Sequence, residues 1–231
     1  MSLKRQVGPA ATELGTAFVG LFVGWIIASL LGSMINDVLA EGPVRTSAGL
    51  LLSPVVTAVA AVFYWRVSRL TPLDVEPPPK TSLSRTSLIV VGGVLMALAG
   101  SMAIGAVTEL LGVQVEEQAM VVKIMEDART DGPLIPALTL GFSAVLLAPM
   151  AEEWLFRGLL FRRLAGAGLP VAYSVSGVAF ALIHNNATGF PVYVWLAVVF
   201  AATMQLTGRL PAAMAVHLGN NAFVLGVLYW G

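Results

Sequence analysis

Apolar residues run along this chain in long blocks, at residues 14–34, 48–64, 88–111, 134–150 continuing through 161, 171–184, 192–206 and 212–230. The hydrocarbon core of a bilayer takes about 20 mostly apolar residues in a helix rising about 1.5 Å each. Helix satisfies every backbone N–H and C=O within the segment, where no water is present to do so. The pattern therefore predicts seven transmembrane helices. The interruptions carry turn chemistry: Asn36-Asp37 with Gly42-Pro43, the proline-rich stretch 72–80, Asp131-Gly132-Pro133, and glycine-to-proline segments at 166–170, 189–191 and 208–211. No internal repeat is visible, and Pro77-Pro78-Pro79 is the one low-complexity stretch.

Composition agrees with the pattern. Of 231 residues, 57% are hydrophobic and 11% charged, and the mean hydropathy is +0.84. A soluble domain has roughly 45–50% apolar and about 25% charged residues. The expected fold is all-α, a polytopic transmembrane helix bundle of about seven helices, forming one integral membrane domain over 1–231. Residues 1–133 hold spans without a motif, and 134–231 hold the helices that carry chemistry. Thirteen basic residues balance thirteen acidic ones, so net charge gives no sign of a nucleic-acid partner. Cysteine is absent, which excludes disulfides and thiolate chemistry. The basic start, MSLKRQVGPAATELG, leads into an apolar run too long for a signal peptide, so it reads as a retained first helix.

Charge placement sets an orientation. With the amino terminus in the cytoplasm, Lys4, Arg5, Arg66, Arg69, Lys80, Arg85, Arg157, Arg162, Arg163 and Arg209 lie inside, against Arg45, Lys123 and Arg129 outside. The positive-inside rule favours that arrangement, and the plasma membrane is the expected location. The largest outer loop carries Glu116, Glu117, Glu126, Asp127 and Asp131, with Val115, Ala119, Val122 and Met125 at helical spacing. It reads either as a short helix on the membrane surface or as a solvated loop.

Ionisable side chains inside apolar segments are costly, on the order of 2.5–3.5 kcal/mol for an acid at the helix centre, and face protein or a wet cavity. Here they gather in the last four spans: Glu152, Glu153 and Arg157, then His184, then His217. Glu153 and Arg157 are four apart and can pair across one helical turn. Glu152 sits about 100° round the helix, free to face a cavity. His217 and Asn221 share a helix face, again four apart. Taken singly, each has a structural reading: an ion pair at a helix end, an interfacial acid, a helix-ending histidine, an interhelical hydrogen bond.

Together they form a pattern. Glu152-Glu153-Trp154-Leu155-Phe156-Arg157 fits EExxxR, Phe180 to His184 fits FxxxH, and His217 to Asn221 fits HxxxN. In this order and on apolar segments, the three motifs resemble the CAAX prenyl endopeptidase family, which includes bacteriocin-processing and abortive-infection membrane proteins. The similarity runs from about Pro149 to Asn221. The resemblance implies an intramembrane endopeptidase in which Glu152 activates water as general base with help from His184, and His217 with Asn221 forms the oxyanion hole. Glu153, Arg157 and Phe180 would then support the site. It implies no metal cofactor; a zinc ion bound by His184, His217 and Glu152 is the alternative, although the HExxH pattern is missing. The implied partners are the bilayer and a peptide or protein substrate, with or without a lipid chain.

Two rivals come from other classes. A proton-coupled transporter would use Glu152, His184 and His217 as a relay, but repeated halves and paired interrupted helices are missing. A non-catalytic immunity or scaffold membrane protein would keep the fold and the motifs. Ser176-Gly177 lacks the preceding glycine of a rhomboid-type site, and no aspartate falls in a span. One conflict stands: the orientation puts the EExxxR end on the cytoplasmic side and His184 towards the outside. For them to meet, Glu152 must lie deeper than drawn, or the fifth helix must extend past His184 through Asn185 and Asn186.

Overall fold

The computed structural model describes residues 3–70, 78–113 and 119–230, with side chains from residue 11 onwards. Eight helices follow one another among the described residues: α1 (Leu3–Val38), α2 (Pro43–Ser68, with a break at Leu51), α3 (Leu83–Leu110), α4 (Ala119–Arg129), α5 (Leu134–Ala167), α6 (Leu169–Ile183), α7 (Phe190–Thr207) and α8 (Leu210–Trp230). The molecule is a polytopic helical bundle, and no strand occurs among the described residues. Six helices among the described residues are long and apolar enough to cross a membrane. The fifth of the seven expected spans, α6, is the exception. Its 15 residues reach only about 22 Å, short of a hydrocarbon core of about 30 Å.

Small residues let the first two spans approach closely. Gly20 and Gly24, four apart on α1, lie against Ala60 and Val56 of α2; a methyl at Gly24 would fall on the Val56 carbonyl, and one at Gly20 would meet that of Ala60 at 3.0 Å. This is the close backbone contact that packs helices in lipid, where hydrophobic driving force between them is weak. One core cluster runs from Ala17 and Tyr64 through Leu155, Phe156 and Phe180 to Phe200 and Val216. α3 leans on α7 and α8: Gly93 faces Thr203 and Val216, Gly100 abuts the Trp195 ring, and Trp195 Nε1 donates to the Met96 carbonyl at 3.1 Å. Large apolar side chains such as Phe18, Trp25, Leu88 and Met102 face outwards, as a lipid-facing surface requires.

At one end of the bundle, polar contacts fasten the termini of the spans. Glu13 accepts from the Tyr64 hydroxyl and pairs with Arg163 Nε at 2.8 Å; Arg163 also donates to the Ser68 carbonyl at 3.3 Å. Thr81 N donates to the Thr207 carbonyl and Arg209 Nη2 to the Thr81 carbonyl, both at 3.0 Å. Of the basic residues assigned to inner segments, Arg163 and Arg209 make these contacts, and one assignment needs correction. Arg157 is 1% exposed and lies in the core, because Glu153 and a carbonyl of α7 satisfy it there.

The outer segment takes the helical one of its two expected forms. Val115, Glu116 and Glu117 lie outside the described residues, but Ala119–Arg129 is a helix. It is not a solvated loop: Ile124 and Met125 are buried against Leu140, with Leu225, Leu228 and Tyr229 alongside.

Candidate active site

The depth conflict resolves at the turn between α5 and α6. α5 continues to Ala167, beyond the predicted limit near Phe161, and Gly168 reverses the chain at φ +115°, a backbone angle that favours glycine. Glu152 precedes Gly168 by the same 16 residues by which His184 follows it. Two antiparallel arms of equal length bring both residues to one height above the turn. Phe156 and Phe180 are likewise equidistant from Gly168, and their rings meet edge to face at 5.5 Å. Of the two ways out of the conflict, the first holds: Glu152 lies deep. α6 does not extend past His184, which caps it, while Asn185 adopts φ +48° and turns the chain.

The α5 backbone is modified around the motif. Residues Phe142–Leu147 and Trp154–Phe161 are wound as π-helix on either side of Ala148–Glu153. Such turns insert an extra residue into the helical register and recur at functional sites. In the first of them the Ala144 carbonyl accepts from Asn221 Nδ2 at 2.8 Å, an acceptance that fixes the carboxamide of α8 against α5.

Glu153 is fully buried. Its Oε1 accepts from Arg157 Nη1 at 3.0 Å and from His217 Nδ1, also at 3.0 Å. The predicted Glu153–Arg157 pair is present, but as a buried pair and not one at a helix end. Its extra partner, His217, could not be foreseen from spacing within one helix. Arg157 Nη2 donates to the Ala197 carbonyl at 3.1 Å, and the guanidinium lies over the rings of Phe180 at 4.3 Å and Phe200 at 5.3 Å. A cation over two aromatic faces gains electrostatic attraction from the ring quadrupoles. Phe180 thus packs beneath the arginine that holds Glu153.

Both histidines commit Nδ1 to a fixed acceptor. His217 Nδ1–H meets the Glu153 carboxylate, and its ring stacks on Phe200 at 4.4 Å. His184 Nδ1 donates to the Phe180 carbonyl at 2.8 Å, and its ring stacks on Tyr193 at 4.0 Å. An acceptor on one ring nitrogen sets the tautomer and leaves Nε2 for another partner. For His217 that nitrogen is 3.9 Å from Glu152 Oε2.

Glu152, Phe180, His184, His217 and Asn221 all line one cavity of about 510 Å³. Glu152 is 9% exposed, so little of it reaches the outer surface. Sequence reasoning missed two residues on the same wall. Tyr193 supports the His184 ring. Asn220 is buried, donates to Asn221 Oδ1 at 3.2 Å, and keeps its own Oδ1 without a protein partner. Asn220 was visible as the neighbour of Asn221 but falls outside the HxxxN spacing; Tyr193 carried no signal. No group of three His, Cys, Asp or Glu side chains arranged to hold a metal ion occurs among the described residues.

Residues 134–223 match the family described as type II CAAX prenyl endopeptidase Rce1-like. The chain is also similar to the membrane-embedded CAAX protease MroQ of Staphylococcus aureus (strain USA300), at 32% identity over 91 residues, which is 36% of this chain and 37% of that relative. The chain therefore aligns with little more than a third of the curated relative's length. No solved structure matches significantly. Both matches say what this chain is similar to, and the segment 134–223 matched by the family is the one that carries Glu152, His184, His217 and Asn221.

Proposed function

We propose that this protein is an intramembrane endopeptidase of the CAAX protease type, acting through a glutamate-activated water without a metal ion. The observation that carries the reading is the convergence of Glu152, His184, His217 and Asn221 on one cavity inside the bundle. The substrate is a peptide or protein segment entering that cavity, with or without a lipid chain.

Glu152 takes a proton from water as the water oxygen bonds to the scissile carbonyl carbon, with His184 Nε2 accepting from the same water. The tetrahedral oxyanion receives hydrogen bonds from His217 and from Asn221, whose Nδ2 keeps one N–H beyond its bond to Ala144. Such donors contribute about 2.7–4 kcal/mol each in a dry site. Collapse of the intermediate breaks the C–N bond, and Glu152 returns its proton to the leaving amine. Glu153 holds the His217 ring, and Arg157 neutralises Glu153. The protein lies in the plasma membrane with its amino terminus in the cytoplasm, the Glu13–Arg163 end facing inwards.

The test is purified protein in liposomes with a peptide library, run beside Glu152→Ala and with a zinc chelator in parallel. Cleavage by the parent, lost in Glu152→Ala and indifferent to chelation, is the expected result. No cleavage by the parent overturns the protease reading; chelator-sensitive cleavage overturns the metal-free mechanism.

A further inference from the structure

Glu152 and His184 border two cavities. The larger, of about 510 Å³, opens among α3, α7 and α8 and is walled mostly by apolar side chains. The second, of about 340 Å³, lies on the α1–α2 side and is lined by Leu21, Ser53, Val56, Thr57, Glu152, Ile183 and His184. Four of those seven residues are polar. Ser53, Glu152 and His184 border both cavities, so the two meet at the proposed general base.

Hydrolysis consumes one water for each bond cut, and hydrocarbon supplies none. A peptide that fills the larger cavity closes that side of Glu152 to solvent. The chamber on the other side is polar and roomy, and a water takes only about 30 Å³ in the liquid, with two to four polar partners. Ser53 and Thr57 are four apart on α2 and share a helix face; Thr57 is 4% exposed, so the chamber is its main outlet. Of the other buried hydroxyls, Ser176, Thr203 and Thr207 bond back to the carbonyls of Ala172, Val199 and Thr203, Ser143 donates to the Leu50 carbonyl, and Ser47 has no partner among the described residues.

We propose that the chamber between α2 and the Glu152–His184 pair is the water reservoir of the site, with Thr57 and Ser53 as positioning residues for the hydrolytic water. The inference rests on the endopeptidase reading for its chemistry, but the hydration of the chamber does not. It gives α1 and α2, which lie outside the matched segment, a part in the reaction: they keep a wet pocket behind a site whose front is occupied by substrate.

Because the chain has no cysteine, hydration can be read directly. In liposomes, Thr57→Cys should react with a small, water-soluble methanethiosulfonate reagent, whereas Val62→Cys, on the outward face of α2, should not. Equal protection of the two would overturn the reservoir whether or not the protein cleaves peptides. With a fluorogenic peptide that the parent cleaves, Thr57→Val, which keeps the shape and removes the hydroxyl, should lower kcat about threefold to tenfold, the worth of one net hydrogen bond. KM should stay unchanged, and Thr57→Ser should restore the rate. An unchanged kcat in Thr57→Val, or a loss confined to KM, would overturn the positioning role. A parent that cleaves nothing overturns the endopeptidase reading instead, and the labelling arm still decides the chamber.

Discussion

At the residue scale, two adjacent glutamates have different work because of where a helix points them. Glu152 faces the cavities; one residue and about 100° further on, Glu153 faces Arg157 and His217 with no exposure at all. A buried pair that loses one partner leaves the other charge uncompensated, at a cost of about 3–5 kcal/mol. Glu153→Gln keeps the shape but strands Arg157, so it should lower the thermal unfolding midpoint clearly, read by intrinsic fluorescence in detergent. An unchanged midpoint would mean that the pair is not structural. The EExxxR spacing announced the Glu153–Arg157 contact. It could not announce His217, which comes 64 positions later, or the ring faces of Phe180 and Phe200 that the guanidinium covers, since these depend on how separate helices pack.

At the scale of elements, the turn at Gly168 does what no single helix does. It places Glu152 on α5 and His184 on α6 the same 16 residues from the reversal, so that they stand level although hydropathy puts them on opposite sides of the membrane. Apolar runs record how much chain is apolar, not where the chain reverses, and the extra reach of α5 to Ala167 includes Arg162 and Arg163, charges that mark the end of a run on any hydropathy reading. The short α6 is different: its apolar run was drawn to 184 and the helix does end at Ile183, so its stop was legible, whereas the level at which that end meets α5 was not. One alanine inserted between Ala181 and Leu182 would leave Phe180 on its core contacts while moving His184 about 1.5 Å and 100° round the helix. Peptide cleavage should be lost while the unfolding midpoint stays close to that of the parent. Retained cleavage would show that the height and facing of His184 are immaterial.

At the scale of the whole molecule, the segment matched by the family covers 134–223, yet the core that holds it includes Ala17, Ala60, Ala61 and Tyr64 from the first two spans. These spans had no motif, and their contribution was therefore illegible in the sequence: hydroxyls such as Thr57 look like ordinary helix residues bonded to the preceding turn, and Gly20 and Gly24 become informative only once α2 is known to lie against them. Gly24→Leu would force α1 off the Val56 backbone, an overpacking that costs typically about 1–3 kcal/mol. The expected result is a lower unfolding midpoint, whereas Gly15→Leu, at a position with open space around it, should leave it near the parental value. Equal effects of the two would contradict the close α1–α2 contact.

The most direct test of the account is the initial rate of peptide cleavage by Glu152→Gln in liposomes, beside the parent and with the unfolding midpoint of both recorded. The variant keeps the size and hydrogen-bonding shape of the side chain and removes the base. The account predicts a rate about a hundredfold or more below the parent at an unchanged midpoint. Cleavage at the parental rate by Glu152→Gln would contradict it.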